Sequence, residues 1–265
     1  MKTEYQLSTQ ESEQIKKLLS IFYQAGFKEQ KLPEIYWSDE IPPQIQQKYP
    51  NKEITDLGLY GILDEMIEEK KNQEKKLATE VLGIYDYKPG ENKEGIIILY
   101  KKTIEYCGKY LGKKWLTHLP DDAHIINDNY AITQLRLIVL LHEIGHWIAH
   151  WLPDKNNTRW LNMKDCTDFH EAWAQLMVVW ALHGNPSALE DFEKFSEVQP
   201  DIYQGYKKLK DISNRDKIID LFIECRNEKN PIDLASFILS VYTGEPIKDI
   251  LHKKRGSNLA GTIGI

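Results

Sequence analysis

Residues 131–151 read AITQLRLIVLLHEIGHWIAHW, an apolar run broken by two histidines four apart, with a glutamate directly after the first. This feature constrains the fold most, because a helix that is apolar nearly all round has to be buried and takes its polar trio with it. Burying two imidazoles and a carboxylate without partners is costly. A bound metal ion removes that objection by giving each nitrogen lone pair a ligand bond. On a helix, His142 and His146 project about 40° apart around the axis and one turn along it, so the two rings can grip one ion. Glu143 lies about 100° round from His142. There a carboxylate sits beside the metal without ligating it and can take a proton from a bound water. Gly145 costs ~1 kcal/mol in mid-helix and leaves bare backbone beside the ligands, which points to close approach by another element.

A catalytic zinc takes three protein ligands. The extended pattern HExxHxxGxxH would put the third at position 152, which is Leu152, and would need glycine where Ala149 stands. That pattern fails. His150 continues the row but lies about 80° round from His142 and is expected to point away. The next candidate stretch is DFHEAWAQLMVVWAL, residues 168–182. Phe169, Ala172, Trp173, Leu176, Met177 and Trp180 recur as a core stripe there. Glu171 falls off that stripe and shares its face with Ala174, whose small side chain would let this helix approach the HEIGH helix. From the residues alone Glu171, His170 and Asp168 all stand as the third ligand, and a solvated Glu171 remains an alternative.

HEIGH with a downstream glutamate in HEAWA, preceded by a hairpin and a helix, resembles the gluzincin family of zinc metallopeptidases. More narrowly it is similar to the small intracellular ImmA/IrrE-type and minigluzincin proteins of bacteria and their mobile elements. The matched part runs from about Leu82 to His183. The resemblance implies His142, His146 and Glu171 as ligands of Zn2+, Glu143 as general base, and one hairpin strand as an edge holding an extended peptide. It further implies hydrolysis of peptide bonds in a peptide or protein substrate. Thermolysin-like members carry an aspartate four residues after the glutamate ligand to steady the first histidine, where this chain has Gln175. No helix-turn-helix segment such as some relatives carry is recognisable, so a transcriptional role has no support. An electrophilic partner for the reaction is expected downstream, with His183, Tyr203, Tyr206 and His252 as candidates.

Other features organise the rest. Ser8 and Glu11 form a capping box ahead of Ile15, Leu18, Leu19 and Phe22, which predicts a helix over Leu7–Phe27 ending at Gly26. Lys31 to Asp56 carries four prolines and is expected to be a surface connector, whose extended part KLPEIYWSDEIPPQ could pair with the hairpin edge over the active site. A helix over Leu57–Thr79 follows, its EEKKNQEKK run being a solvated face. LGIYDY and GIIILY flank a Pro-Gly turn and predict a hairpin. Helices are expected over Lys101–Leu111 and Asp168–His183 and in segments between Pro186 and Lys254, while GSNLAGTIGI shows no helical character. Trp147, Trp151, Trp160, Trp173 and Trp180 are expected to pack the core around the two metal helices.

The predicted fold is α+β and zincin-like, mostly helical, with a small antiparallel sheet packed on the HExxH helix. Residues 1–56 form an N-terminal helix and connector, 57–185 the catalytic core, and 186–265 a helical region joined to that core. A net charge of −6 and a pI near 5.8 give no basic footprint for nucleic acid. Three dispersed cysteines suggest reduced thiols. The longest apolar runs, LIVLL and LMVVWAL, fall short of the ~20 residues of a membrane span, and no apolar signal segment opens the chain, so a cytoplasmic location is expected. The function that follows is an intracellular zinc metallopeptidase acting on a specific regulatory partner. The alternative is a non-catalytic zinc-binding module working through protein–protein interaction.

Overall fold

A computed structural model describes residues 2–50, 54–68, 81–87, 94–115, 124–159, 167–212, 214–228 and 232–262. Helices dominate the described residues and accompany a mixed four-stranded sheet, an α+β arrangement. The capping box forms as its sequence demands: Ser8 accepts from the Glu11 N–H, and the Glu11 side chain accepts from the Ser8 N–H. It starts α1, Thr9–Gln24, whose Ile15, Leu18, Leu19 and Phe22 are buried.

The connector differs from its expected form. Ile35–Ser38 is a strand, β2, and Pro43–Lys48 is a short helix, α2. The prolines flank these elements and do not interrupt them: IYWS is β-branched and aromatic, and Pro43 opens the helix where an N–H is not needed. β2 pairs in parallel with β4 (Ile96–Tyr100), and on its other side with a short N-terminal strand, β1 (Lys2–Glu4), antiparallel. The hairpin is as predicted, β3 (Gly83–Asp86) lying antiparallel to β4 with Tyr85 opposite Ile97. The strand order is thus β1-β2-β4-β3, and the sheet is mixed, not purely antiparallel. The connector occupies the β4 side, away from β3, so it does not lie along the strand nearest the histidines. β3 is one of the two edge strands of the described sheet, β1 being the other.

α3 spans Asp56–Glu68 and α4 Lys101–Trp115. The charge run after α3, the hairpin turn and Trp160 lie outside the described residues. α5, His124–His150, begins about two turns before the expected Ala131 and forms the spine of the molecule. It packs on α4, on α6 (Thr167–Leu182), on α1 and on the sheet. Pro186–Ser196, Arg215–Arg226, Leu234–Thr243 and Ile247–Thr262 are α7 to α10, with a 3-10 segment at Asp201–Lys208 against α6. α10 runs through most of GSNLAGTIGI, for which the sequence carries no helical signal. One contiguous cluster of buried apolar side chains runs from Ile15 to Leu251 and includes Trp147, Trp173 and Trp180. Arg226 of α8 is buried against the end of α5, donating to the carbonyls of Ile148, Ala149 and Leu152. No described helix is long and apolar enough to cross a membrane.

Candidate metal centre

His142 and His146 lie on consecutive turns of α5, and Glu171 lies in the first turns of α6. Gly145 explains how the two helices come together. A Cβ built there would stand 2.9 Å from the Ala174 Cα and 3.1 Å from Met177 Cβ and Cγ, so the helices touch almost backbone to backbone. The small pair inferred from sequence, Gly145 and Ala174, is the crossing point, and the carboxylate reaches the histidines across it.

The Nε2 atoms of His142 and His146 are 3.1 Å apart, and Glu171 Oε2 lies 3.1 Å from the first and 3.6 Å from the second. Bonds of about 2.0–2.1 Å in tetrahedral geometry set neighbouring ligand atoms about 3.3 Å apart. The three separations bracket that value. His142 is 1% exposed and Glu171 6%, so water cannot satisfy them as it would at a surface. Among the described residues no N–H other than these imidazoles faces Glu171 Oε2. The group His142, His146 and Glu171 can hold a metal ion. Burial opposes the charge on Glu171, but the two imidazoles outweigh it and hold the carboxyl well below its usual range.

Glu143 stands beside this group, 2% exposed, and its Oε2 accepts the backbone N–H of Tyr85 at 2.7 Å. That bond ties the edge strand to the centre. Burial pushes the Glu143 carboxyl up to about 7; the His146 charge and the Tyr85 N–H work against the rise, and the Glu171 charge adds to it. The segment leading into β4 is also fixed to α5 by Trp147, whose Nε1 donates to Glu94 Oε1 at 3.0 Å.

The other candidates separate cleanly. Asp168 caps its own helix through the Phe169 N–H and accepts from the Leu234 N–H, outside the ligand group. His170 and His150 are buried in the wall of the adjoining cleft, their rings stacked at 5.6 Å. Gln175 donates to Gln199 Oε1 at 2.7 Å. Tyr203 is buried with its ring 5.9 Å from that of His142. Tyr206 is bonded to Ser196, and His183 and His252 are exposed.

The cleft beside the cluster has a volume of ≈ 210 Å³ and is lined by Ile84, Tyr85 and Tyr87 from the edge strand and its end, and by side chains of α5 and α6. The tyrosine contribution and the Tyr85 N–H bond to Glu143 escaped sequence reasoning. The alternation in LGIYDY was the available signal, since it sets Tyr85 and Tyr87 on one face of the strand.

No protein-family model, curated protein or solved structure matches this chain.

Proposed function

We propose that this chain is a zinc-dependent peptide hydrolase of the gluzincin type, with His142, His146 and Glu171 holding the ion and Glu143 as general base. The observation that carries the reading is the three-way spacing of 3.1, 3.1 and 3.6 Å between ligand atoms, with a second buried carboxylate, Glu143, next to it. Zinc, when bound, supplies a Lewis acid that polarises a carbonyl and brings the pKa of water to about 7. The protein supplies the rest. The Tyr85 N–H fixes one oxygen of Glu143, leaving the other to take the proton of the attacking water and pass it to the leaving amine. Among the described strands the outer edge of β3 has no strand partner, and its main-chain groups other than the Tyr85 N–H, which Glu143 occupies, would offer hydrogen bonds to an extended peptide. Tyr203 packs beside His142 and would orient its ring. The natural substrate is a specific protein partner in the cytosol, where the buried thiols of Cys107 and Cys225 would stay reduced.

The test separates binding from turnover. Purified wild-type protein should carry about one zinc per chain by elemental analysis, and His142→Ala or Glu171→Ala should lose it. Glu143→Gln should keep its zinc and cleave a mixed peptide library, read by mass spectrometry, about 10²–10⁴-fold more slowly than wild type. Equal rates would remove Glu143 as the base. Zinc retention with no cleavage by wild type would leave a zinc-binding interaction module in place of a peptidase.

A further inference from the structure

The cleft beside the ligand cluster has a wall made of rings. Tyr85 and Tyr87 stack at 5.7 Å with an interplanar angle of 11°. The Tyr87 ring lies 3.9 Å from that of His150, and His150 stacks on His170 at 5.6 Å and 27°. The rings therefore run without a break from the edge strand, across the last residue of α5, to the first turns of α6. All four line the same cleft as Glu143 and Glu171. No lysine, arginine or aspartate is among its described lining residues, and its two carboxylates are the ligand and the base.

We propose that this wall is a specificity subsite for the planar aromatic side chain of a peptide residue next to the scissile bond. The inference rests on the peptidase reading above. At ≈ 210 Å³ the cleft is smaller than the ~300 Å³ at which sites for drug-sized ligands begin, so it admits one side chain with its peptide unit. Beyond the ligand Glu171 and the base Glu143 no Lys, Arg, Asp or Glu is among its described lining residues, so an acidic or basic side chain would lose hydration without gaining a partner of its own. An aliphatic one would gain burial alone. A Phe, Tyr or Trp gains burial and ring–ring contact with Tyr87 and His150, together favouring it by about two- to tenfold over leucine. Tyr87 and His150 are then specificity-determining residues, and neither belongs to the ligand group.

The experiment is equilibrium binding, so that it does not depend on turnover. Capped tetrapeptides of alanine carrying Phe, Leu, Asp or Lys at the second or third position are titrated calorimetrically into zinc-loaded Glu143→Gln protein. They are also titrated into metal-stripped wild type. The Phe peptide should bind about two- to tenfold more tightly than the Leu peptide, with Asp and Lys weaker than Leu. Tyr87→Leu and, separately, His150→Leu should each bring the Phe/Leu ratio close to one without changing zinc stoichiometry. Two variants on different elements guard against one that folds poorly. A parent ratio near one, a ratio that survives both substitutions, or no binding by any peptide overturns the subsite. Aromatic preference in binding without hydrolysis by wild type would sink the peptidase reading and leave the subsite standing. Hydrolysis with no aromatic preference would do the reverse.

Discussion

Gly145→Ala tests the idea that the metal group depends on the distance between two helix backbones. Taken alone, the substitution should help, because alanine in a helix interior is better than glycine by roughly 1 kcal/mol. At this crossing the new methyl group would sit 2.9 Å from the Ala174 Cα and 3.1 Å from two Met177 carbons. Met177 is fully buried and a backbone Cα cannot swing aside, so α5 and α6 must separate by a few tenths of an ångström. Overpacking of this kind costs roughly 1–3 kcal/mol, giving a net destabilisation of about 0–2 kcal/mol without metal. The larger effect should appear with metal. His142 and His146 are on one helix and Glu171 on the other, so separation lengthens the one ligand contact that bridges them. Each tenfold loss of zinc affinity removes about 1.4 kcal/mol of zinc-linked stability at saturating metal. Urea unfolding of wild type and variant, with chelator and with excess zinc, measures both terms, and a competition titration with a chromogenic chelator gives the affinity directly. Gly61→Ala is the internal control. Gly61 lies in α3 with nothing within 4 Å of the added Cβ, so it should gain roughly 0.5–1 kcal/mol and leave zinc affinity unchanged. If Gly145→Ala also gains stability and binds zinc as tightly as wild type, the helices are not in the close contact on which the site geometry rests.

Two further outcomes follow from buried charge. Arg226→Met should cost about 3–5 kcal/mol by urea titration, because it leaves buried Asp154 and the α5-end carbonyls of Ile148, Ala149 and Leu152 without their cation; a loss below about 1 kcal/mol would mean that the guanidinium does not anchor the helix. Glu11 is held below its ordinary 4.5: burial opposes ionisation, but hydrogen bonds from Tyr5 and Ser8 and the charge of Arg136 outweigh it. A depressed carboxyl stabilises the fold above its unfolded pKa and loses that contribution as pH falls through the folded one. Glu11→Gln, which keeps a capping-box residue, should therefore be less stable than wild type by about 1–3 kcal/mol at pH 7, and the gap should close as pH falls below 4.5; a gap independent of pH would refute the assignment.

What the sequence determined by itself was local. Period and capping set α1 from Ser8 and Glu11, alternation and a Pro-Gly turn set the β3–β4 hairpin, and a run of apolar residues made α5 a buried helix. The four-residue spacing brought His142 and His146 onto one face, and Gly145 with Ala174 marked where another helix would cross. Each of these depends on neighbours within a turn or two, where φ/ψ preference and side-chain period suffice. The tertiary structure decided the rest. A strand within a proline-bounded connector, β2, found a parallel partner in β4, Ile35 lying opposite Ile97, and no local pattern specifies that register. Asp168, His170 and Glu171 are nearly contiguous and equally able to bind a metal, and only the rotation at which α6 docks on α5 sorts them. It turns Asp168 to the Leu234 N–H, His170 into the ring wall and Glu171 to the histidines. Successive helical residues point about 100° apart. Which of them faces the metal group is therefore set by the packing of a whole interface, a property of two helices that neither helix's sequence contains.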